Sequence, residues 1–175
     1  MKLAPLPLAL LLFSVCALTV SCSRDPELKK RAEAGDVDAQ SSLGVMYDNG
    51  TGVPEDDVEA VKWYRLAADQ GDANAQGLLG LMYANGNGVP EDYIEAVKWY
   101  RLAADQGHRD AQSLLGAMYY FGDGVPEDYV ESYARYNVAV ALGSEPAKGL
   151  KETLTARMSK EDISAAQKRS KEIWE

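Results

Sequence analysis

The chain has 175 residues, 46% of them hydrophobic and 26% charged, with a formal net charge of −9. That length suits one domain with a real core. The acidic balance repels phosphate backbones and anionic headgroups, so neither a nucleic-acid partner nor direct lipid adhesion is expected.

The first 22 residues stand apart. Lys2 is followed by an apolar stretch from Leu8 to Leu18, broken by Ser14, and then by Thr19-Val20-Ser21-Cys22-Ser23. This is the layout of a secretory signal peptide over residues 1–22. A retained membrane anchor is the other reading, but Pro5 and Pro7 interrupt its start. The segment ending at Cys22 resembles the lipobox of bacterial lipoproteins, with Ser21 before the cysteine and Thr19 where leucine is usual. That resemblance implies lipidation of Cys22, an exported periplasmic protein and, through Ser23, outer-membrane sorting. Ordinary cleavage near Ser23 is the alternative. Cys16 and Cys22 are the only cysteines. The part from Ser23 onward can therefore form neither a disulfide nor a zinc–thiolate site.

Beyond a partial unit at residues 23–38, the chain matches itself at an offset of 36 residues. Copies run Ala39 to Asn74, Ala75 to Asp110 and Ala111 to Pro146. The first two share Glu-Ala-Val-Lys-Trp-Tyr-Arg-Leu-Ala-Ala-Asp-Gln-Gly, ending at Gly71 and Gly107. A fixed period of this length means stacked supersecondary units. In each copy Ala39, Leu43, Met46 and Tyr47 predict one helical face, and Val58, Val61, Tyr64, Ala67 and Ala68 a second. Gly50, Gly52 and Pro54 stop the first helix. Asp56 with Glu59, Asp92 with Glu95 and Asp128 with Glu131 predict capping boxes on the second. Gly71, Gly107 and Gly143 suit a left-handed residue after a helix end.

These motifs, Ala-x-x-x-Leu-Gly-x-x-Tyr, Gly-x-Gly-Val-Pro-x-Asp and Ala-x-x-Trp-Tyr-x-x-Ala-Ala-x-x-Gly, resemble the Sel1-like repeat, a relative of the tetratricopeptide repeat. The resemblance implies an all-α solenoid of stacked antiparallel helix pairs wound into a right-handed superhelix. It places three repeats at 39–143 and a partial repeat with a capping helix at 144–175. Ser159 and Asp162 predict the cap of that last helix.

The residues offer little chemistry. His108, the single histidine, sits at an inter-repeat turn and reads as a solvated loop residue. Glu55-Asp56-Asp57 reads as helix initiation, without the alternating ligands of a calcium loop. The glycine turns lack the lysine of a phosphate loop. No catalytic residue, cofactor or metal is expected, and the chain is not expected to be an enzyme. The resemblance instead implies a monomeric adaptor or scaffold that binds another protein or peptide on the concave surface of the first helices. Gln40, Gln76 and Gln112 are the candidate polar ladder there, with Asp48, Ala84 and Tyr120 at a second equivalent position. Tyr120 and Phe121 in the third copy are candidate anchors. A competing reading is a weak β-lactam-binding hydrolase, as described for some exported Sel1-like proteins. Those carry paired cysteines within each repeat, which this chain lacks.

Overall fold

The computed structural model describes residues 26–175, so the leader and Cys22 lie outside the described residues. Among those described there are nine helices and no strand: α1 (Pro26–Glu33), α2 (Val37–Asp48), α3 (Asp57–Asp69), α4 (Ala73–Asn85), α5 (Tyr93–Asp105), α6 (Arg109–Phe121), α7 (Tyr129–Ala141), α8 (Glu145–Thr155) and α9 (Lys160–Trp174). Helix α2 packs on α3, α4 on α5 and α6 on α7, and each second helix packs on the first helix of the next pair. The expected all-α solenoid is what forms.

The boundaries follow from local chemistry. Helices α2 to α9 each start on a side chain that accepts from the N–H three residues on. Asp36, Asp72, His108 and Ser144 do this for the first helices, Asp56, Asp92 and Asp128 for the second helices, and Ser159 for α9. Each cap contributes about 1 kcal/mol. The reciprocal half of the capping box differs from expectation. Glu59 and Glu95 pair with Lys62 and Lys98 instead of reaching back. The N-cap N–H groups of Asp56 and Asp92 already donate to the Tyr47 and Tyr83 carbonyls at 2.9 Å, which leaves each glutamate free for the lysine one turn on. At the other end Gly71, Gly107 and Gly143 take φ of +96°, +78° and +89°, as the sequence predicts.

One contact recurs inside every pair. Tyr64, Tyr100 and Tyr136 on the second helices are buried against Gly44, Gly80 and Gly116 of the first. A Cβ added at Gly80 would stand 2.7 Å from Tyr100 Cδ1, and one at Gly116 would stand 2.9 Å from Tyr136 Cδ1. The Cδ1–Cε1 edge of the ring lies against bare backbone, and alanines at 60, 67 and 68 and their equivalents in the second pair let the helices close around it. Val58 does not join this face; it is 52% exposed, as is its equivalent Ile94 at 61%. At 100° per residue Val58 points nearly opposite the direction of Ala67 and Tyr64, so the predicted face begins at Ala60.

The stack ends differently from the way it repeats. After α8 the chain turns and α9 folds back along α7. Glu131 anchors it, accepting from Arg135 at 2.8 Å and from Arg169 of α9 at 2.7 Å. Burial alone would raise the Glu131 carboxyl; the bonds and charges of Arg169 and Arg135 outweigh it and hold it below the ordinary carboxylate value.

Two substitutions separate a glycine the packing requires from one it does not. Gly80→Ala should cost about 1–3 kcal/mol by overpacking against Tyr100. Gly149→Ala, where an added Cβ meets nothing within 4 Å in α8, should stabilise by about 0.5–1 kcal/mol. Urea unfolding curves compare them, and a Gly80→Ala protein as stable as its parent would refute the close approach.

Candidate interaction groove

The first-helix positions predicted to meet a ligand divide sharply once folded. Gln40, Gln76 and Gln112 are buried, which corrects the expectation of a solvent-facing ladder. Each Nε2 donates to a backbone carbonyl at the end of the preceding second helix: Ala32, Ala68 and Ala104, at 3.0, 3.1 and 3.0 Å. Each Oε1 accepts in turn, from Gln70 at 2.7 Å, Gln106 at 2.8 Å and Arg135 at 3.3 Å. Helix ends leave carbonyls without intrahelical donors, and buried ones need a partner. Gly35, Gly71 and Gly107 donate one backbone bond to these carbonyls, and the glutamine row adds a second that ties each first helix to the unit before it.

The second predicted row is structural in two copies. Asp48 Oδ2 accepts from the Tyr64 hydroxyl at 3.0 Å. Ala84 cannot do the same, and the buried Tyr100 hydroxyl finds no partner among the described residues. Tyr120 is half-buried. Its ring stacks on Tyr129 at 5.5 Å, and the Arg157 guanidinium lies 5.6 Å from its centroid while donating to its hydroxyl. Phe121 alone projects, 67% exposed, edge-on to Tyr120.

The folded chain brings together a different set. Ser41, Val45, Leu78, Leu81 and Leu114, from α2, α4 and α6, line a groove of about 470 Å³. Leu81 is 38% exposed on its floor. A smaller apolar notch of about 140 Å³ continues between α6 and α8, lined by Ala117, Phe121, Leu150 and Thr153 with Tyr120 and Tyr136. Leu78, Leu114 and Leu150 lie 36 residues apart, a signal present in the sequence but hidden beside the stronger core pattern. His108 closes one edge of the groove. It is not a free loop residue but the cap of α6, its Nδ1 accepting from Ala111 N at 3.1 Å. That bond assigns the proton to Nε2, which donates to Asn74 Oδ1 at 3.2 Å.

Among the described residues no group of three or more His, Cys, Asp or Glu could hold a metal ion. No described helix is long and apolar enough to cross a membrane. The family model for the Sel1 repeat matches residues 37–72, 73–108 and 109–144. The chain belongs to the Sel1 repeat family. Sel1 repeats are generally non-catalytic scaffolds that mediate protein–protein interaction. Solved structures agree. A protective antigen of uropathogenic Escherichia coli displaying an SLR fold is 40% identical, with a TM-score of 0.74 over 82% of this chain and 32% of that one. The chain thus spans about a third of that protein's length. A Sel1 repeat protein from Oxalobacter formigenes is 42% identical, with a TM-score of 0.66 over 73% of this chain and 96% of that one. Cysteine rich protein B of Helicobacter pylori is 26% identical, with a TM-score of 0.57 over 73% and 97%. Among curated proteins none matches.

The three repeat tyrosines carry a pH signature. Burial pushes the phenols of Tyr64, Tyr100 and Tyr136 up from the ordinary value of 10.0, the last to about 12, and the Asp48 charge adds to the rise at Tyr64. A folded value above the unfolded one means stability fully present below pH 10 and lost as pH rises through the raised values. By about pH 11 each tyrosine should contribute a loss of about 1.4 kcal/mol. Tyr100→Phe should leave stability at pH 7 unchanged or slightly higher, since its hydroxyl is unpartnered, and should remove one share of the alkaline loss. Denaturant titrations at neutral and alkaline pH measure both, and an equal alkaline loss in parent and variant would contradict the assignment.

Proposed function

We propose that the chain is a non-catalytic scaffold of the bacterial cell envelope that binds a partner protein or peptide along the first-helix groove. The observation that carries this reading is the groove itself. Polar residues of the repeat are spent on caps, helix tethers and turns, whereas Leu78, Leu81, Leu114, Phe121 and Leu150 leave apolar surface beside it. Leu78 and Leu114 also pack against the core, whereas Leu81, Phe121 and Leu150 are exposed and outside every core cluster, so folding does not require those three to be apolar. Apolar and aromatic anchors in a concave site are the usual basis of protein recognition. The envelope assignment rests on the leader-like pattern of residues 1–22 and the lipobox resemblance at Cys22. The similar Escherichia coli protein is described as a protective antigen, which favours export. The β-lactam reading draws no support from repeats without cysteine.

Mass spectrometry of the mature N-terminus should find a lipid-modified Cys22; an unmodified start at Ser23 would remove the anchor and leave the scaffold reading intact. Affinity capture from solubilised membranes then tests the scaffold. The parent should retain a specific partner, and Leu81→Asp should reduce its recovery more than tenfold, the scale of a lost anchor, while Leu102→Asp on the outer face should not. Equal recovery with Leu81→Asp, or no specific partner across repeated controlled captures, would count against it.

A further inference from the structure

The end of the solenoid departs from the charge of its body. Residues 37–143 carry six lysines and arginines against seventeen carboxylates, whereas 145–175 carry seven against six, so an anion is least repelled at the cap. There α8 and α9 both pack on α7. An open hollow of about 520 Å³ is lined by Asn137 of α7 and by Ser164, Gln167, Lys168 and Lys171 of α9. Lys151 of α8 reaches the same place. Its Nζ donates to Asn137 Oδ1 at 3.0 Å and lies 5.8 Å from the Tyr133 ring centroid. No carboxylate lines the hollow. On α9, Asp162 accepts from Ser159 at 2.8 Å, Glu172 from Arg169 at 3.3 Å, and Glu175 lines the adjoining hollow. Among the described residues Lys29, Lys62 and Lys98 form ion pairs, and Lys151, Lys168 and Lys171 form none.

Two departures from the repeat build this place. Lys151 stands 36 residues after Leu115, at the position where Leu43, Leu79 and Leu115 are buried. Asn137 stands where Arg65 and Arg101 donate to the hydroxyls of Tyr83 and Tyr119. The docking of α9 accounts for Ala134, Arg135 and Val138, but it asks for no lysine at 151. The negative pole of α9 favours Lys171 in its last turn, not Lys168 and not a lysine of another helix. Like charges one turn apart repel, so three ammonium groups without a counter-charge are gathered against their own interaction. We propose that this hollow binds a phosphate monoester. Such a group carries nearly two negative charges at neutral pH and three strong acceptor oxygens. The lysines are compact charges with donors that turn freely, and three of them call for a multivalent anion rather than a single carboxylate. The bond to Lys151 takes the Asn137 oxygen and leaves its amide nitrogen to donate, beside the Ser164 hydroxyl and the Gln167 amide. The adjoining hollow of about 250 Å³ shares Asn137 and Lys171, and its Val138, Ala141 and Trp174 offer an apolar wall to the organic group that carries the phosphate.

The test is an NMR titration of the purified chain in phosphate-free buffer with phenyl phosphate and, for comparison, benzoate. Phenyl phosphate should shift the amides of Asn137, Ser164, Gln167 and Lys168, with a dissociation constant of about 1 mM. Benzoate, with the same ring and a single charge, should bind about tenfold weaker or less. Phenyl phosphate should also bind more weakly below about pH 6, where the monoester loses its second charge while the lysines keep theirs. Lys168→Gln with Lys171→Gln, both exposed, should cost about tenfold, the sum of two exposed pairs. Lys151→Leu restores the residue of the repeat, so it should fold and still lose affinity. Lys29→Gln with Lys30→Gln, an equal change of charge on α1, should leave binding unchanged. Vesicles of phosphatidylcholine with and without phosphatidic acid then name the source. Preferential retention on phosphatidic acid, lost in the Lys168/Lys171 variant, identifies a lipid headgroup; phenyl phosphate binding without that preference identifies a soluble monoester. No shift at these amides, benzoate binding as tight as phenyl phosphate, or an equal loss in the α1 variant overturns the proposal. The groove reading is untouched by such a failure, since no groove residue takes part.

Discussion

Every helix pair is closed by a tyrosine ring lying on a glycine. Tyr64, Tyr100 and Tyr136 give up nearly all their exposure to the backbone at Gly44, Gly80 and Gly116, and no side chain larger than hydrogen fits between. That approach sets how near the two helices stand. The repeating alanines then line the space the ring leaves, and the next pair stacks on the result. The joint between pairs is equally tight. Gly88, at φ +67°, brings its backbone against Asp57 and Val58 of the preceding pair, and Gly124 does the same against Tyr93 and Ile94. With no disulfide in the folded part, cohesion depends on such backbone-to-ring and backbone-to-backbone contacts.

The third copy departs from the other two where its neighbour departs. Lys62 and Lys98 become Ala134, and Trp63 and Trp99 become Arg135. Ala134 clears room for a helix to lie along α7, and Arg135 joins Arg169 on Glu131 to hold it. Val138, whose equivalents Leu66 and Leu102 are exposed, is buried as a consequence. A buried carboxylate shared by two guanidiniums costs desolvation, and losing one partner would be worse than never having the cluster. The arrangement therefore specifies where α9 docks more than it adds net stability.

The groove inherits its character from this division of labour. Caps and tethers draw on the polar residues of the first helices; the rings and alanines take the core face. What remains on the open face is mostly leucine, valine and phenylalanine. A contiguous apolar surface of that kind is costly to leave in water.

Periodicity alone was enough to determine the helix pairs, their number, their capping aspartates and their terminating glycines, because each depends on residues within about four positions of one another along the chain. The same repeat carries the membership of the Sel1 repeat family. Which face of α2, α4 and α6 meets solvent was decided only by stacking. Gln40, Gln76 and Gln112 look like exposed helix residues until the preceding helix end brings a carbonyl within 3.0–3.1 Å of them. His108 looks like a loop residue until its ring nitrogen meets the Ala111 amide, and Val58 looks apolar enough for a core that lies on the other side of its helix. Leu78, Leu114 and Leu150 are legible as a row in the sequence, but that the first two share one groove and the third a neighbouring notch depends on contacts between units 36 residues apart. No local pattern reports the relative orientation of two stacked pairs, since contacts between units, such as Gly88 against Asp57 and Val58, set it.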